Sequence, residues 1–250
     1  MELKNLDKIP ISKQEILKYV VEKTIEKHNE NIISIFVYGS IMTKDFNEKS
    51  SDVNIAIVVK NMSIVTLKSL MDIIKKGLKK KINVPLFLTP EYVKKSLDTF
   101  PMEFLTMNDT KCILYGDDIL ETIQINKEDL RKECEYQLKG KILTIRQAFL
   151  EQSLNKKNLE IFMKRSLKAL MPVFQNVLRL KLKNPPILKE EIIKSLNREF
   201  GIKIDAFLSV LNDKRNDGRI GQQSIELFLD DFLIQLEILS EKVDIFICEQ

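Results

Sequence analysis

The chain has 250 residues, 44% hydrophobic and 30% charged, with a formal net charge of +4. Seven glycines and seven prolines are too few for a disordered or collagen-like polypeptide, and no run approaches the roughly 18 apolar residues of a membrane span, so a soluble globular protein is expected. The three cysteines, Cys112, Cys134 and Cys248, fit neither a disulfide framework nor a zinc spacing, and the single histidine, His28, excludes a multi-histidine metal site, which leaves oxygen ligands for any metal.

The first residues, MELKNLDKIPISKQE, are charged and carry no apolar signal segment, which points to the cytoplasm. From Ser12 to Glu30, Ile16, Val20, Val21 and Ile25 fall at helical spacing, and Ser12 with Glu15 forms a capping box. Residues 32–37 and 53–59 are β-branched runs that read as strands, the first bounded by Gly39. Residues 63–81 read as one amphipathic helix and 82–88 as a third strand. Thr89 caps a following helix with Pro90 at its first position, and 112–115, ended by Gly116, reads as a short strand.

After Asn126 the pattern becomes helical throughout. Leu130, Cys134, Leu138, Ile142, Ile145 and Phe149 mark a long helix over 127–152, and further helices are expected over 157–182, 188–200 and 222–247. Pro172 should kink or split the second of these, because proline lacks the helical donor and clashes with the preceding turn. Pro185-Pro186 and Asn216-Asp217-Gly218 read as breaks. The expected organisation is a first domain over 1–122 and an all-α bundle of four or five helices over 123–250, with the boundary near 118–127.

Charge is unevenly distributed. Residues 131–200 hold 16 basic and 7 acidic side chains, whereas 201–250 hold 5 and 10. Such a division presents a positive surface to phosphates, or pairs complementary helices within a bundle; the second reading is preferred, and a nucleic-acid partner is not expected. The series Arg131, Lys132, Lys139, Lys141 and Arg146 lines a cleft or forms a solvated helix face. Lys79-Lys80-Lys81 suits a helix C-terminus, His28 a surface position, and Gly218-Arg219-Ile220-Gly221 a turn. No phosphate-cradling loop ending in Gly-Lys-Ser or Gly-Lys-Thr is present, and no glycine-spaced dinucleotide motif.

The segment from Ile32 to Val59 carries the chemistry: an apolar run ending in Tyr38-Gly39-Ser40, a polar connection containing Lys44, then Asp52-Val53-Asn54-Ile55. A strand bearing two acids at alternate positions puts both on one face, as two-metal phosphoryl transfer requires. This order resembles the signature of the polymerase-β-like nucleotidyltransferase superfamily, in layout over residues 12–120 and in motif over about twenty residues, and the helical half resembles the bundle of its antibiotic- and small-substrate-modifying members. The resemblance implies an α+β nucleotidyltransferase-like domain with a small mixed sheet, followed by the helical bundle. It also implies that Gly39 and Ser40, with Lys44, hold the phosphates of a nucleoside triphosphate, that Asp52 is the catalytic carboxylate, and that Asp52 and Asn54 ligate Mg²⁺.

The departures are as informative as the matches. Asn54 stands where the family has a second carboxylate, and the run Asn83-Val84-Pro85-Leu86-Phe87-Leu88 contains no acid where the family places a third. Glu91, Glu103, Asp117 and Asp118 are the acids considered as substitutes, Glu103 being the leading one. Three functions are therefore open: a degenerate member that binds nucleotide or a protein partner with weak or absent transfer, an active Mg²⁺-dependent enzyme transferring a nucleoside monophosphate to a small molecule or protein, and a non-catalytic scaffold or toxin-neutralising partner.

Overall fold

A computed structural model describes residues 3–44, 46–49, 51–152, 156–216 and 225–248, apart from the side chains of 152, 156–160, 213–216 and 225–226. The chain divides into two compact units, Met1–Ile125 and Asn126–Gln250. In the first unit, β1 (Ile32–Tyr38) is central in a four-stranded sheet of order β3-β2-β1-β4. It pairs antiparallel with β2 (Asn54–Val59) and with β4 (Cys112–Gly116), while β3 (Leu86–Leu88) adds to β2 in parallel, which makes the sheet mixed.

Both faces of β1 and β2 are covered, which is why their sequences are nearly continuous apolar runs. Ile35, Val37, Val53, Ile55, Ile57 and Val59 pack with Leu17, Val20, Val21 and Ile25 of α1 (Ile11–His28) and with Ile73 of α3 (Met71–Leu78). Phe36, Ala56 and Val58 pack on the other face with Val93 of α4 (Pro90–Lys95), Phe104 and Met107 of α5 (Pro101–Thr110), and Leu120. The register sets Tyr38 opposite Asn54 and Ile35 opposite Ile57; a slip of one residue would exchange the two faces, so this register is strongly specified.

Several local expectations are corrected. The helix begins at Ile11 with Pro10 at its N-cap, and the Ser12 hydroxyl donates to Glu48 Oε1 at 2.8 Å across the fold, so the Ser12–Glu15 capping box does not form. The single helix over 63–81 is two, α2 (Ile64–Ser69), capped by the Ser63 side chain, and α3, divided at Leu70. The Ser69 hydroxyl donates to Thr66 O, a local bond that competes with helix continuation. The third strand shrinks to Leu86–Leu88 with an isolated bridge between Val53 and Ile82, because Pro85 has no N–H for a ladder. Helix α5 had no counterpart in the sequence reading, although Pro101 at its start and Phe104 and Met107 on its buried face are helix signals. Thr89 and Pro90 cap α4 as expected. His28 closes α1, half-buried, with Nε2 against the Ser69 hydroxyl.

In the second unit the described helices are α6 (Lys127–Gln152), α7 (Lys156–Arg179), α8 (Lys189–Phe200), α9 (Asp205–Asn216) and α10 (Ile225–Asp244). Phe174, Phe207 and Phe232 join α7, α9 and α10, with ring centroids 5.2 and 4.8 Å apart and the second pair edge-on. Helix α7 runs through Pro172 without splitting, and the Asn176 side chain donates to Pro172 O at 2.9 Å. Helix α9 was not anticipated. The Asp217-Gly218 turn and the Gly218–Gly221 segment lie outside the described residues.

The charge division is used internally. On α6, Arg131 bridges Glu128 and Glu135 and donates to the carbonyls of Val243 and Asp244 on α10, while Lys139 reaches Asp244 and Arg146 reaches Glu237. Basic side chains of α6 thus pair with acidic side chains of α10. No described helix is long and apolar enough to cross a membrane.

Candidate functional site

The Gly-Ser turn leaves the end of β1. Gly39 has φ +86° and ψ −147°, a region open in practice only to glycine, and a β-carbon there would lie 3.1 Å from Nδ2 of Asn54. Ser40 opens a short 3-10 turn, Ser40–Met42, in which the Met42 N–H donates to Gly39 O and the Thr43 N–H to Ser40 O. The Gly39 N–H donates to Thr110 Oγ1 at 2.9 Å, and that hydroxyl donates to Thr106 O at 2.7 Å. The last turn of α5 therefore fixes the turn that leaves β1.

Asn54 begins β2 opposite Tyr38, and Asp52 precedes it, exposed. The Val53 N–H donates to Lys81 O at 2.9 Å and the Asn83 N–H donates to Val53 O at 2.9 Å, so the chain from Lys81 to Asn83 runs beside Asp52–Asn54. Asn83 takes advantage of that proximity. Its Nδ2 donates to Asn54 Oδ1 at 2.8 Å, a neutral amide pair at the place where the resemblance calls for two carboxylates.

Of the residues singled out in sequence, Gly39, Ser40, Asp52 and Asn54 come together around the ends of β1 and β2. Lys44 is exposed just beyond the 3-10 turn. Glu103 is exposed in the first turn of α5, two turns or about 10 Å along the axis from Thr110, so it is not delivered to the Gly39 turn. Glu91 pairs with Lys95 on α4, and Asp118 pairs with Lys111 at 3.0 Å and accepts from the Leu120 N–H, so these acids serve the fold. Asn83, Thr110 and Lys13 were missed. Lys13, on the first turn of α1, is buried and donates to Lys80 O at 2.8 Å. A lysine among helix-surface charges gives no sequence sign of such a position.

A divalent cation fits this donor set poorly. Asp52 brings one carboxylate, Asn54 brings an amide oxygen that already accepts from Asn83, and no group of three metal-ligating acids, histidines or cysteines occurs among the described residues. Mg²⁺ dehydrates reluctantly and is held in such sites by carboxylates together with substrate phosphates, so an asparagine pair offers it little.

Structural comparison agrees with the layout. The chain is similar to spectinomycin adenyltransferase AAD(9) from Enterococcus faecialis, whose crystal structure was solved with ATP and spectinomycin. The TM-score is 0.55 at 13% identity, over 92% of this chain and 98% of that one. The fold is a nucleotidyltransferase fold. No protein-family model and no curated protein sequence matches the chain.

Proposed function

We propose that this nucleotidyltransferase-fold protein binds a nucleoside triphosphate at the Gly39–Ser40 turn and has lost, wholly or nearly, the capacity to transfer the nucleotide. The observation that carries this reading is the Asn83 to Asn54 hydrogen bond. Metal-assisted phosphoryl transfer depends on stabilising the charge that develops on the attacking and leaving oxygens. Two asparagines bonded to each other bring no negative charge with which to hold the cations for that task. What remains supports binding: a glycine-only turn tied down by Thr110 and a serine that follows it.

In the mechanism this leaves, the turn orients the phosphates and Asn54 contributes an amide donor, because its Nδ2 lies toward Gly39. In a working relative of the fold, bound Mg²⁺ would supply charge stabilisation at the reacting phosphate. The present residues position a nucleotide without that step.

The test combines two readouts on the purified chain with each of the four ribonucleoside triphosphates. Thermal unfolding should rise by several degrees with at least one of them, since a ligand at about 100 times its dissociation constant stabilises by about 2.7 kcal/mol. Pyrophosphate release in Mg²⁺ should stay at background. Release from the wild type that disappears in Asp52→Ala would establish the active-enzyme alternative, and no thermal shift with any nucleotide would favour the interaction-protein alternative.

A further inference from the structure

Helices α2 and α3 share an outer face that the fold leaves uncovered. Thr66, Leu70, Ile73 and Gly77 are buried at 4-3-4 spacing, so the inward stripe runs through the division at Leu70, which keeps right-handed helical dihedrals. On the opposite side Ile64, Lys68, Met71, Lys75 and Leu78 follow one another at 4-3-4-3 spacing, and all five are exposed. Aliphatic and lysine side chains therefore alternate along about 21 Å of helix. Ile64 is 66% exposed, Met71 50% and Leu78 47%. Single exposed aliphatic residues are ordinary, whereas a row of them at helical spacing is a surface without a partner.

The counterpart of this surface is on α10. Asp231, Ile234, Ile238, Glu241 and Ile245 recur at 3-4-3-4 spacing, opposite the buried Phe232, Leu236, Leu239 and Val243, and all are exposed except the half-buried Ile238. The Ile245 N–H donates to Glu241 O at 3.1 Å, which carries the helical path one residue further. Charge follows the same division: residues 64–81 hold six lysines and one acid, and residues 225–245 hold six acids and one lysine. Among the described residues Lys68, Asp231 and Glu241 form no ion pair. Lys75 meets the exposed Asp72 of its own helix at 3.8 Å, a contact worth little. The lysines of one stripe and the acids of the other are thus available to a partner.

We propose that the α2–α3 stripe of one copy of this chain docks on the α10 stripe of a second copy. Laid antiparallel, the two rows have the same spacing. Ile64 then meets Ile245, Lys68 meets Glu241 and Met71 meets Ile238, while the aliphatic stem of Lys75 covers Ile234 and Asp231 falls opposite Leu78, between Lys75 and Lys79. The aliphatic side chains form the seam, and the ion pairs fix direction and register, as charged positions do in coiled coils. Two different surfaces are joined, so the contact is heterologous. An anionic lipid surface suits the stripe less well, because its lysines lie within the aliphatic row rather than on a separate polar face. The docking is independent of nucleotide binding, and neither Gly39 nor Asn54 takes part in it.

The experiment is sedimentation velocity of the full chain at rising concentration, in about 0.05 M and about 0.5 M salt. The wild type should associate, and less so in the higher salt. Two charge reversals are compared, Lys68→Glu with Lys75→Glu, and Asp231→Lys with Glu241→Lys. Each alone should weaken self-association by about tenfold or more, because like charges then face each other. An equimolar mixture of the two should associate again, since each copy meets the opposite sign on the other. Ile245→Asp, at the exposed end of α10, should weaken wild-type association in the same way and tests the proposal should a reversed pair not fold.

A wild type that stays monomeric at every concentration would overturn the proposal. So would reversals that leave self-association unchanged, or a mixture no more associated than its separate components. A monomeric wild type that binds vesicles containing phosphatidylserine, and loses them in Lys68→Glu with Lys75→Glu, would overturn it in favour of a lipid surface.

Discussion

Thr110 accepts the Gly39 N–H on its hydroxyl at 2.9 Å and returns its own proton to Thr106 O, so the last residue of α5 holds the turn at the end of β1. Thr110→Val preserves the shape and removes the acceptor, leaving a part-buried N–H unpaired. The expected cost is about 1–3 kcal/mol in chemical unfolding, together with weaker nucleotide binding. Thr110→Ser should restore both. Weaker binding in Thr110→Ser equal to that of Thr110→Val would show that the hydroxyl does not matter.

Gly39 and Gly116 are required for different reasons. At Gly39 the strain of φ +86°, ψ −147° is the main term, about 1–3 kcal/mol for a non-glycine residue, because the nearest atom to an added β-carbon is a side-chain nitrogen at 3.1 Å. At Gly116, with φ +76°, the β-carbon would fall 1.9 Å from Ile33 O, which is backbone and cannot move without breaking the β1–β4 pairing. Gly116→Ala should therefore lower the unfolding temperature more than Gly39→Ala, while Gly39→Ala should have the larger effect on nucleotide affinity. Circular-dichroism melts and nucleotide titrations of both variants check the order.

The helical unit has a polar centre in Arg131, 12% exposed at its side chain and bonded to Glu128, Glu135 and two carbonyls of α10. Arg131→Met leaves those acids and carbonyls without their partner and should cost about 1–3 kcal/mol, the range for polar groups left without a hydrogen-bond partner. The pair also sets an acid response. The Glu135 carboxyl is held below its ordinary value by Lys139 first and then by Arg131, and Glu128 is held below its own by Arg131. A depressed carboxyl stabilises the fold fully above the unfolded value, near pH 4.3, and that stability is lost as pH falls through the folded value. Unfolding midpoints measured from pH 7 to pH 3 should therefore fall less steeply for Arg131→Met than for the wild type.

Much of this architecture is legible in the sequence where burial imposes a period. The β1 and β2 runs, the Thr89-Pro90 cap, the Gly116 stop and the 26-residue α6 follow from spacing and from residues with one conformational use. Lys127 and Gln152 bound α6 in both readings. The failures come from contacts that no local pattern announces. Ser12 leaves its capping role for Glu48, Leu70 interrupts a periodic stretch, and Pro172 sits inside a helix that continues past it. The site shows the same division. Gly39, Ser40, Asp52 and Asn54 are local to one strand-turn-strand segment and can be read from it. Asn83 and Thr110 reach that segment from 29 and 71 residues away along the chain, by bonds to Asn54 and to Gly39, and only the fold brings them there.

The central claim is that the Asn54–Asn83 pair takes the place of a cation-binding carboxylate pair, and Mn²⁺ titration followed by electron paramagnetic resonance in the presence of ATP addresses it most directly. The account predicts that the wild type holds Mn²⁺ no more tightly than ATP alone does, and that Asn54→Asp combined with Asn83→Asp gains a protein-bound Mn²⁺ signal. A wild-type chain that immobilises Mn²⁺ with ATP, and loses that signal in Asp52→Ala, would contradict it.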